Sequence, residues 1–141
     1  MGCLDLWIIL KSVDKMNLNS RQIECRHEIA RIAKAMGVDP VWATAVAMVE
    51  SSLGEAQVSQ TGCVGVFQMS SIAMKDLHQE MAKQDDDVAD IACGLAFLHL
   101  LLKRHGSIEK ATEKFCSPAD VSFYVPRVKS YMEVFSKEGG S

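Results

Sequence analysis

The stretch that decides the fold is Val41-Trp-Ala-Thr-Ala-Val-Ala-Met-Val49, which is followed at once by Glu50. The segment is apolar on nearly every side of a helix, and a helix without a polar face is expected at the centre of a domain. Asp39 and Pro40 precede it, a favourable start because aspartate accepts hydrogen bonds at an N-cap and proline loses none at the first helical position. The sequence therefore predicts a buried central helix that ends in a carboxyl group.

Helical signals continue on both sides of this segment. Asn19 and Gln22 have the spacing of a capping box, and Gly37 ends the helix that they begin. From residue 53 to residue 68 the chain is rich in Gly, Ser, Gln and Thr, which predicts a loop, with a turn rather than a strand at 64–67. Further helices are predicted from Ser70 to about residue 82, from Asp87 to His105, and from Ser107 to Phe115. Ser117-Pro118 is another cap-plus-proline start, and Pro126 is predicted to begin the last helix.

These elements predict one all-α domain over residues 19–136. Residues 1–18 are expected to form an N-terminal extension, and residues 137–141 a Gly- and Ser-containing tail. The apolar run at 4–10 is short, contains Asp5 and follows no basic residue, so it does not resemble a secretory signal. We expect it to form a short helix that packs on the domain.

Composition excludes several functional classes. The chain has 141 residues, enough for one domain with its own core. Its net charge of −3, without a basic stripe, argues against a nucleic-acid partner, and no segment is long and apolar enough for a membrane span. The five cysteines and four histidines lack the spacing of metal ligands, so we expect neither a metal nor another cofactor.

Glu50 is the residue whose position most suggests chemistry. A carboxylate is disfavoured at the end of a buried helix, both by burial and by the negative end of the helix dipole. A carboxyl group that keeps its proton near neutral pH can act as a general acid. From these arguments alone, an outward orientation of Glu50 at a frayed helix end is equally consistent with the sequence.

The residues after Glu50 form a spaced motif, Glu50-Ser-Ser-Leu-Gly-Glu-Ala-Gln-Val-Ser-Gln-Thr-Gly-Cys-Val-Gly-Val-Phe-Gln-Met69. This block resembles the soluble lytic transglycosylase family, which shares the goose-type lysozyme fold. The family pattern is Glu-Ser, a serine nine residues after the glutamate, and then Gly-Ala-x-Gly-Leu-Met-Gln. The spacing matches at Glu50, Ser51, Ser59, Gly62, Gly65 and Gln68, while Cys63 and Val66-Phe67 are small or apolar replacements.

Weaker similarity continues downstream, so that the resemblance spans about residues 22–135. Asp90-Ile-Ala-Cys-Gly94 is similar to the family's Asn-Ile-x-x-Gly, and Tyr124-Val-Pro-Arg-Val128 to its closing Tyr-Val-x-x-Val. Phe115-Cys116 departs from the family's Tyr-Asn. Because phenylalanine has no hydroxyl to place beside the acid, Tyr124 or water must supply one, or burial alone must tune the acid.

The resemblance implies a lysozyme-like all-α domain with at most a minor β-turn element. It also implies a peptidoglycan lytic transglycosylase, in which Glu50 is general acid and base for cleavage of the β-1,4 bond from N-acetylmuramic acid to N-acetylglucosamine. The product would be a 1,6-anhydro sugar. A hydrolytic muramidase and a weakly active or inactive glycan-binding relative remain alternatives. The residues that the resemblance implies for substrate binding are Ser59, Gly65, Gln68, Met69, Phe115 and Tyr124.

The resemblance also sets expectations for partners and location. The expected partner is the glycan strand of peptidoglycan, bound by a monomer that acts in the periplasm or cell wall. Without a recognisable signal, a phage virion, an endolysin or a secretion machine is the expected context.

Overall fold

The computed structural model describes residues 17–55, 65–68 and 86–137. In these ranges the chain forms α-helices, one short 3₁₀ turn and no strand, which confirms the predicted all-α class. The helix predicted to begin at Ser70 lies outside the described residues. The elements are α1 Ser20–Met36, α2 Pro40–Ser51, α3 Asp86–His105, α4 Ile108–Phe115, the 3₁₀ turn Pro118–Asp120, and α5 Val121–Lys137.

The helix starts that the sequence predicts are formed by side-chain caps. At α1, Asn19 accepts a hydrogen bond from the Gln22 backbone at 2.9 Å, and the Gln22 side chain accepts one from the Asn19 backbone at 3.0 Å. Asp39 accepts from Val41 N at the start of α2, with Pro40 in the first helical position. Ser107 likewise caps α4. Helix α3 begins at Asp86, one residue before the aspartate that the sequence favoured as its cap.

Helix α2 is buried along most of its length, as its composition predicts. Residues 42–47 are all buried, and Trp42 is fully enclosed. The helix packs against α1 and α5, while α3 packs against α1 and α4. The largest enclosed side chains of the common core are Trp42, Phe67, Phe135, Ile29, Leu53, Leu95 and Leu98.

The prediction that Pro126 begins the last helix is wrong. Helix α5 begins at Val121 and continues through Pro126, which cannot donate the usual backbone hydrogen bond to Ser122. The turn before the proline carries Tyr124 and Val125, and both are buried against the core. Burying two large side chains contributes about 1.5–3 kcal/mol each, which is enough to offset one interrupted hydrogen bond.

Among the described helices, none is long and apolar enough to cross a membrane.

The first prediction concerns the hydrogen bond that joins α2 to α4. Trp42 Nε1 donates to Thr112 Oγ1 at 2.9 Å, and both side chains are buried. We expect Thr112→Val to lower the free energy of unfolding by about 1–3 kcal/mol, because it leaves the buried indole N–H without a partner. Urea denaturation measures the loss. Thr112→Ser keeps the hydroxyl and is the matched control; equal losses in the two variants would contradict this assignment.

Candidate active site

Helix α2 ends in a strained turn directly after Glu50. Ser52 and Leu53 have φ angles of 52° and 55°, in the left-handed region that residues other than glycine rarely adopt. Their backbone N–H groups donate to Met48 O and Ala47 O and so satisfy the last carbonyls of the helix. Each left-handed residue costs about 1–2 kcal/mol, and such strain is typical of functional sites. The left-handed conformation of Ser52 and Leu53 is therefore maintained by contacts with the rest of the structure, since these residues do not favour it by themselves.

Ser51, the second residue of the Glu-Ser motif, is fully buried and connects two segments of the site. Its hydroxyl donates to Val66 O at 2.6 Å and accepts from Gly54 N at 2.9 Å. On the other side of the turn, the Gln22 side chain donates to Ser52 O at 2.9 Å. These bonds tie the end of α2 both to the start of α1 and to the turn at 65–68.

The turn at 65–68 packs directly against helix α3. The buried Asp90 carboxylate accepts a hydrogen bond from Val66 N at 2.9 Å. Gly65 has a φ of +91°, and a Cβ at this position would overlap the Asp90 carboxyl group. Phe67 lies so close to Gly94 that a side chain there would overlap its ring. Gly65, Gly94 and the Asp90 carboxylate thus determine the position of the turn that carries the Gly-x-x-Gln part of the motif.

Burial of Glu50 raises its pKa to about 7, so the group can carry a proton at neutral pH. The Tyr124 hydroxyl opposes this effect because it stabilises the carboxylate. The negative charge of Asp120 raises the pKa further. Among the alternatives that the sequence left open, the structure thus favours an inward-facing, tuned carboxyl group over an outward-facing one.

Tyr124 is 5% exposed, and its hydroxyl lies in the surroundings of Glu50. This hydroxyl meets no described group in ordinary hydrogen-bond geometry, although it is close enough to influence the Glu50 carboxyl. Burial raises the pKa of Tyr124 well above its usual value, and Glu50 adds to the rise, so the phenol keeps its proton. A buried donor without a partner is costly unless another group approaches it.

Cys116 stands where the family pattern has asparagine. Its half-buried thiol donates to Glu113 O at 3.5 Å, and burial raises its pKa, with smaller contributions from Asp120 and Glu50. The residue therefore presents a neutral sulfur on the Glu50 side of the molecule. A neutral thiol is a weaker hydrogen-bonding group than a side-chain amide.

The structure brings together only some of the residues that the sequence singled out. Tyr124 lies close enough to Glu50 to lower its pKa, whereas Phe115 packs on Phe97 with ring centroids 5.6 Å apart. Gln68 has a φ of 50° and donates from its side chain to Gly65 O at 2.8 Å, within its own turn. Ser59 and Met69 lie outside the described residues.

Sequence reasoning missed Asp120. The residue ends the 3₁₀ turn before α5, four positions ahead of Tyr124, and that helical spacing was the only available signal. Within the described ranges, no group of three or more His, Cys, Asp or Glu side chains is arranged to hold a metal ion.

An all-helical shell around an apolar helix that ends in a protonatable carboxyl group is the arrangement of the lysozyme-like class of domains. Comparison with known families identifies the family within this class. The model described as Transglycosylase SLT domain matches residues 28–117, well over half of the chain, and the protein belongs to this family. Family membership indicates lytic transglycosylase activity on the peptidoglycan of the cell wall. Neither the curated proteins nor the solved structures that were compared contain a match.

The second prediction tests the close contact between Gly65, in the 65–68 turn, and Asp90 of α3. We expect Gly65→Ala to destabilise the protein by about 2–5 kcal/mol, because the new methyl group overlaps Asp90 and the backbone keeps a positive φ. Gly106→Ala is the matched control, since its φ is +82° but no atom lies within 4 Å of the added Cβ. Urea denaturation compares the two variants. An equal effect of both substitutions would show that Asp90 does not constrain the turn.

The third prediction follows from the raised pKa of Glu50. The folded protein holds this proton up to a pKa of about 7, whereas the unfolded chain releases it near 4.5. The stabilisation of the folded state that comes from its tighter binding of this proton is present below pH 4.5 and is lost as the pH rises towards 7. We therefore expect the Glu50→Gln variant to gain stability relative to the wild type across this interval.

Urea denaturation at a series of pH values checks this expectation. Glu24→Gln, at an exposed position of α1, serves as the control for the loss of a glutamate charge. Parallel pH dependences of the wild type and Glu50→Gln would mean that Glu50 titrates normally in the folded protein.

Proposed function

We propose that this protein is a lytic transglycosylase in which Glu50 is both general acid and general base. The observation that carries the proposal is the pKa of about 7 at a carboxyl group that ends a buried helix. A catalytic group works best when its pKa lies near the pH of the reaction, because both of its protonation states are then accessible. The spacing of the Glu-Ser, Ser and Gly-x-x-Gln elements and the family membership supply the substrate class.

In the first step, the protonated Glu50 donates to the oxygen between N-acetylmuramic acid and N-acetylglucosamine. The bond from this oxygen to the anomeric carbon breaks, and positive charge develops on the muramic sugar. The substrate's own N-acetyl group helps to stabilise that charge. Glu50 is left as a carboxylate, the form that the Tyr124 hydroxyl favours.

In the second step, the Glu50 carboxylate takes the proton from the C6 hydroxyl of the muramic sugar. The C6 oxygen then bonds to the anomeric carbon and gives the 1,6-anhydro product. Glu50 recovers its proton, and no water is consumed. One carboxyl group therefore suffices for the cycle, provided that both its acid and base forms are supported.

The proposal also assigns binding roles to the surrounding segments. We propose that the turn at 65–68 contacts the sugars, with Gly65 allowing close approach and Gln68 offering amide groups. Ser59, Met69 and Phe115 are proposed to contribute to the same surface. A net charge of −3 gives this chain little attraction to an anionic wall, so the proposal does not rely on overall charge for binding.

The fourth prediction tests Glu50 directly. We expect Glu50→Gln to reduce the release of soluble fragments from purified sacculi by about 10²–10⁴-fold, since it removes the transferable proton. Glu55→Gln, five residues further on, is the matched control: Glu55 is exposed and accepts from the Asn19 side chain, which an amide oxygen can also do. Full activity of Glu50→Gln would exclude this residue as the acid.

Mass spectrometry of the products distinguishes the proposed reaction from hydrolysis. An anhydro end is lighter than a reducing end by one water. Anhydro products support the transglycosylase, whereas reducing ends identify a muramidase that uses the same acid. Binding to sacculi without any fragment release would indicate a glycan-binding relative.

A further inference from the structure

The amide side chain of Gln22 makes two hydrogen bonds that serve different segments. Its oxygen accepts from the Asn19 backbone N–H at 3.0 Å and so completes the capping box of α1. Its nitrogen donates to Ser52 O at 2.9 Å, across a separation of 30 residues. Gln22 therefore joins the first turn of α1 to the residue that ends α2, two positions after Glu50.

Capping alone does not require an amide at position 22. A glutamate in the same place accepts the same backbone hydrogen bond, and its charge is favoured by the positive end of the helix dipole. What glutamine adds is an N–H donor, which a carboxylate lacks. In this chain that donor is used on the carbonyl of Ser52. The bond to Ser52 thus explains a glutamine here, whereas the cap of α1 does not.

The carbonyl that receives this bond belongs to a strained turn. Ser52 and Leu53 have φ angles of 52° and 55°, and such a conformation persists only when surrounding contacts over-determine it. Ser51 is held from another direction, because its hydroxyl donates to Val66 O at 2.6 Å. Consecutive residues are therefore anchored to different segments. Loss of the Gln22 bond removes the anchor on the α1 side and allows the strained turn to relax.

The position of Glu50 depends on this turn. Glu50 lies in the last turn of α2, and Ser52 closes that turn by donating from its backbone N–H to Met48 O at 3.0 Å. A helix end frays when its cap is loosened, and a frayed end would turn the Glu50 carboxyl group outward. A displacement of about 1 Å can lower the rate of a reaction by about 10²-fold. A bond at Ser52 therefore affects the acid through the backbone.

We propose that Gln22 is a positioning residue that fixes the end of α2 and thereby keeps the Glu50 carboxyl group in its inward position. This inference rests on the proposed function, because it gives Gln22 a part in the reaction that Glu50 is proposed to catalyse. Gln22 precedes residues 28–117, which match the family model. The role is therefore carried by a residue outside the matched segment.

The fifth prediction separates the two hydrogen bonds of Gln22. Gln22→Glu keeps the acceptor for the Asn19 backbone and removes the donor to Ser52 O. We expect kcat for fragment release to fall by about 10- to 100-fold with little change in KM, because the acid is displaced while the turn at 65–68 remains in place. Initial rates of the full chain over a range of sacculus concentrations measure both constants. A wild-type kcat in Gln22→Glu would overturn the proposal.

Asn19→Ala is the matched control at the same capping box. It removes the side-chain acceptor for the Gln22 backbone but leaves both bonds of the Gln22 side chain, because Asn19 donates to it from the backbone. It also loses a bond to Glu55 that joins two exposed side chains. Asn19→Ala should lower stability, as loss of an N-cap does, yet keep the wild-type kcat. Equal losses of kcat in Asn19→Ala and Gln22→Glu would assign the effect to fraying of α1 and reject the proposal.

Gln22→Met tests whether the new charge in Gln22→Glu accounts for the loss. Methionine is of similar length and has neither a charge nor an N–H donor. We expect it to lower kcat to a similar extent. A wild-type kcat in Gln22→Met would assign the effect of Gln22→Glu to its charge and would contradict a positioning role.

Hydrogen exchange tests the same inference without requiring activity. The backbone N–H groups of Ser52 and Leu53, which donate to carbonyls of α2, report on the turn. By NMR, their exchange should be about three- to tenfold faster in Gln22→Met than in the wild type, as expected for the loss of one hydrogen bond. In Asn19→Ala it should be unchanged.

The titration of the Glu50 carboxyl carbon by NMR provides the second readout. In protein labelled with ¹³C-glutamate, the Glu50 signal is the one that disappears in Glu50→Gln. Burial is the main cause of its raised pKa, so its midpoint should be lower in Gln22→Met. The described groups near this carboxyl, which are Tyr124, Asp120 and Cys116, are the same in that variant.

These two readouts separate failure of the inference from failure of the proposed function. Unchanged exchange together with an unchanged midpoint rejects the role of Gln22, even in an active enzyme. Faster exchange together with a lowered midpoint, in a protein that releases no fragments, supports that role and rejects the proposed function.

Discussion

The burial of helix α2 is the constraint on which the rest of the structure depends. Because residues 42–47 have no solvent-facing side, other helices must enclose them, and α1 and α5 do so. The enclosure extends to the end of the helix, where it removes water from Glu50. The unusual proton affinity of this carboxyl group is thus a consequence of core packing. The same hydrophobic segment stabilises the domain and contributes to the raised pKa of Glu50.

Backbone strain is concentrated beside Glu50. The non-glycine residues with positive φ in the described ranges are Ser52, Leu53 and Gln68, and all of them lie in the two segments that Ser51 joins. The hydrogen bonds of Ser51 and Asp90 hold these segments in place against the strain. Hydrogen-bonded backbone thus surrounds Glu50, and this is the kind of arrangement that the proposed catalysis requires.

Local signals allowed much of the fold to be predicted. The caps at Asn19, Asp39 and Ser107 depend on neighbouring residues alone, and the structure confirms each of them. The start of α5 was wrong because a proline was taken as the first helical residue. The helical path instead begins at Ser117-Pro118, the earlier cap-plus-proline start, and the burial of Tyr124 accompanies the turn that precedes Pro126.

The difference between local signals and tertiary packing also explains which features of the site could be predicted. Glu50 was singled out by its position at the end of an apolar helix together with the motif that begins at Glu50-Ser51, and both are properties of the sequence alone. The packing of Phe115 on Phe97 and the proximity of Asp120 to Glu50 depend on how separate helices meet. Those contacts are set by the whole core, whereas Tyr124 was named beforehand because it begins the Tyr-Val-x-x-Val similarity at 124–128.

In the proposed mechanism a single carboxyl group acts first as acid and then as base, which poses an electrostatic problem. Burial alone would stabilise the protonated form and make the second state costly. A hydrogen bond to the carboxylate alone would have the reverse effect. The net pKa of about 7 at Glu50 results from both influences, with burial and Asp120 raising it and Tyr124 lowering it. Since these influences oppose one another at a single group, neither protonation state is strongly favoured, and proton transfer in each direction remains accessible near neutral pH.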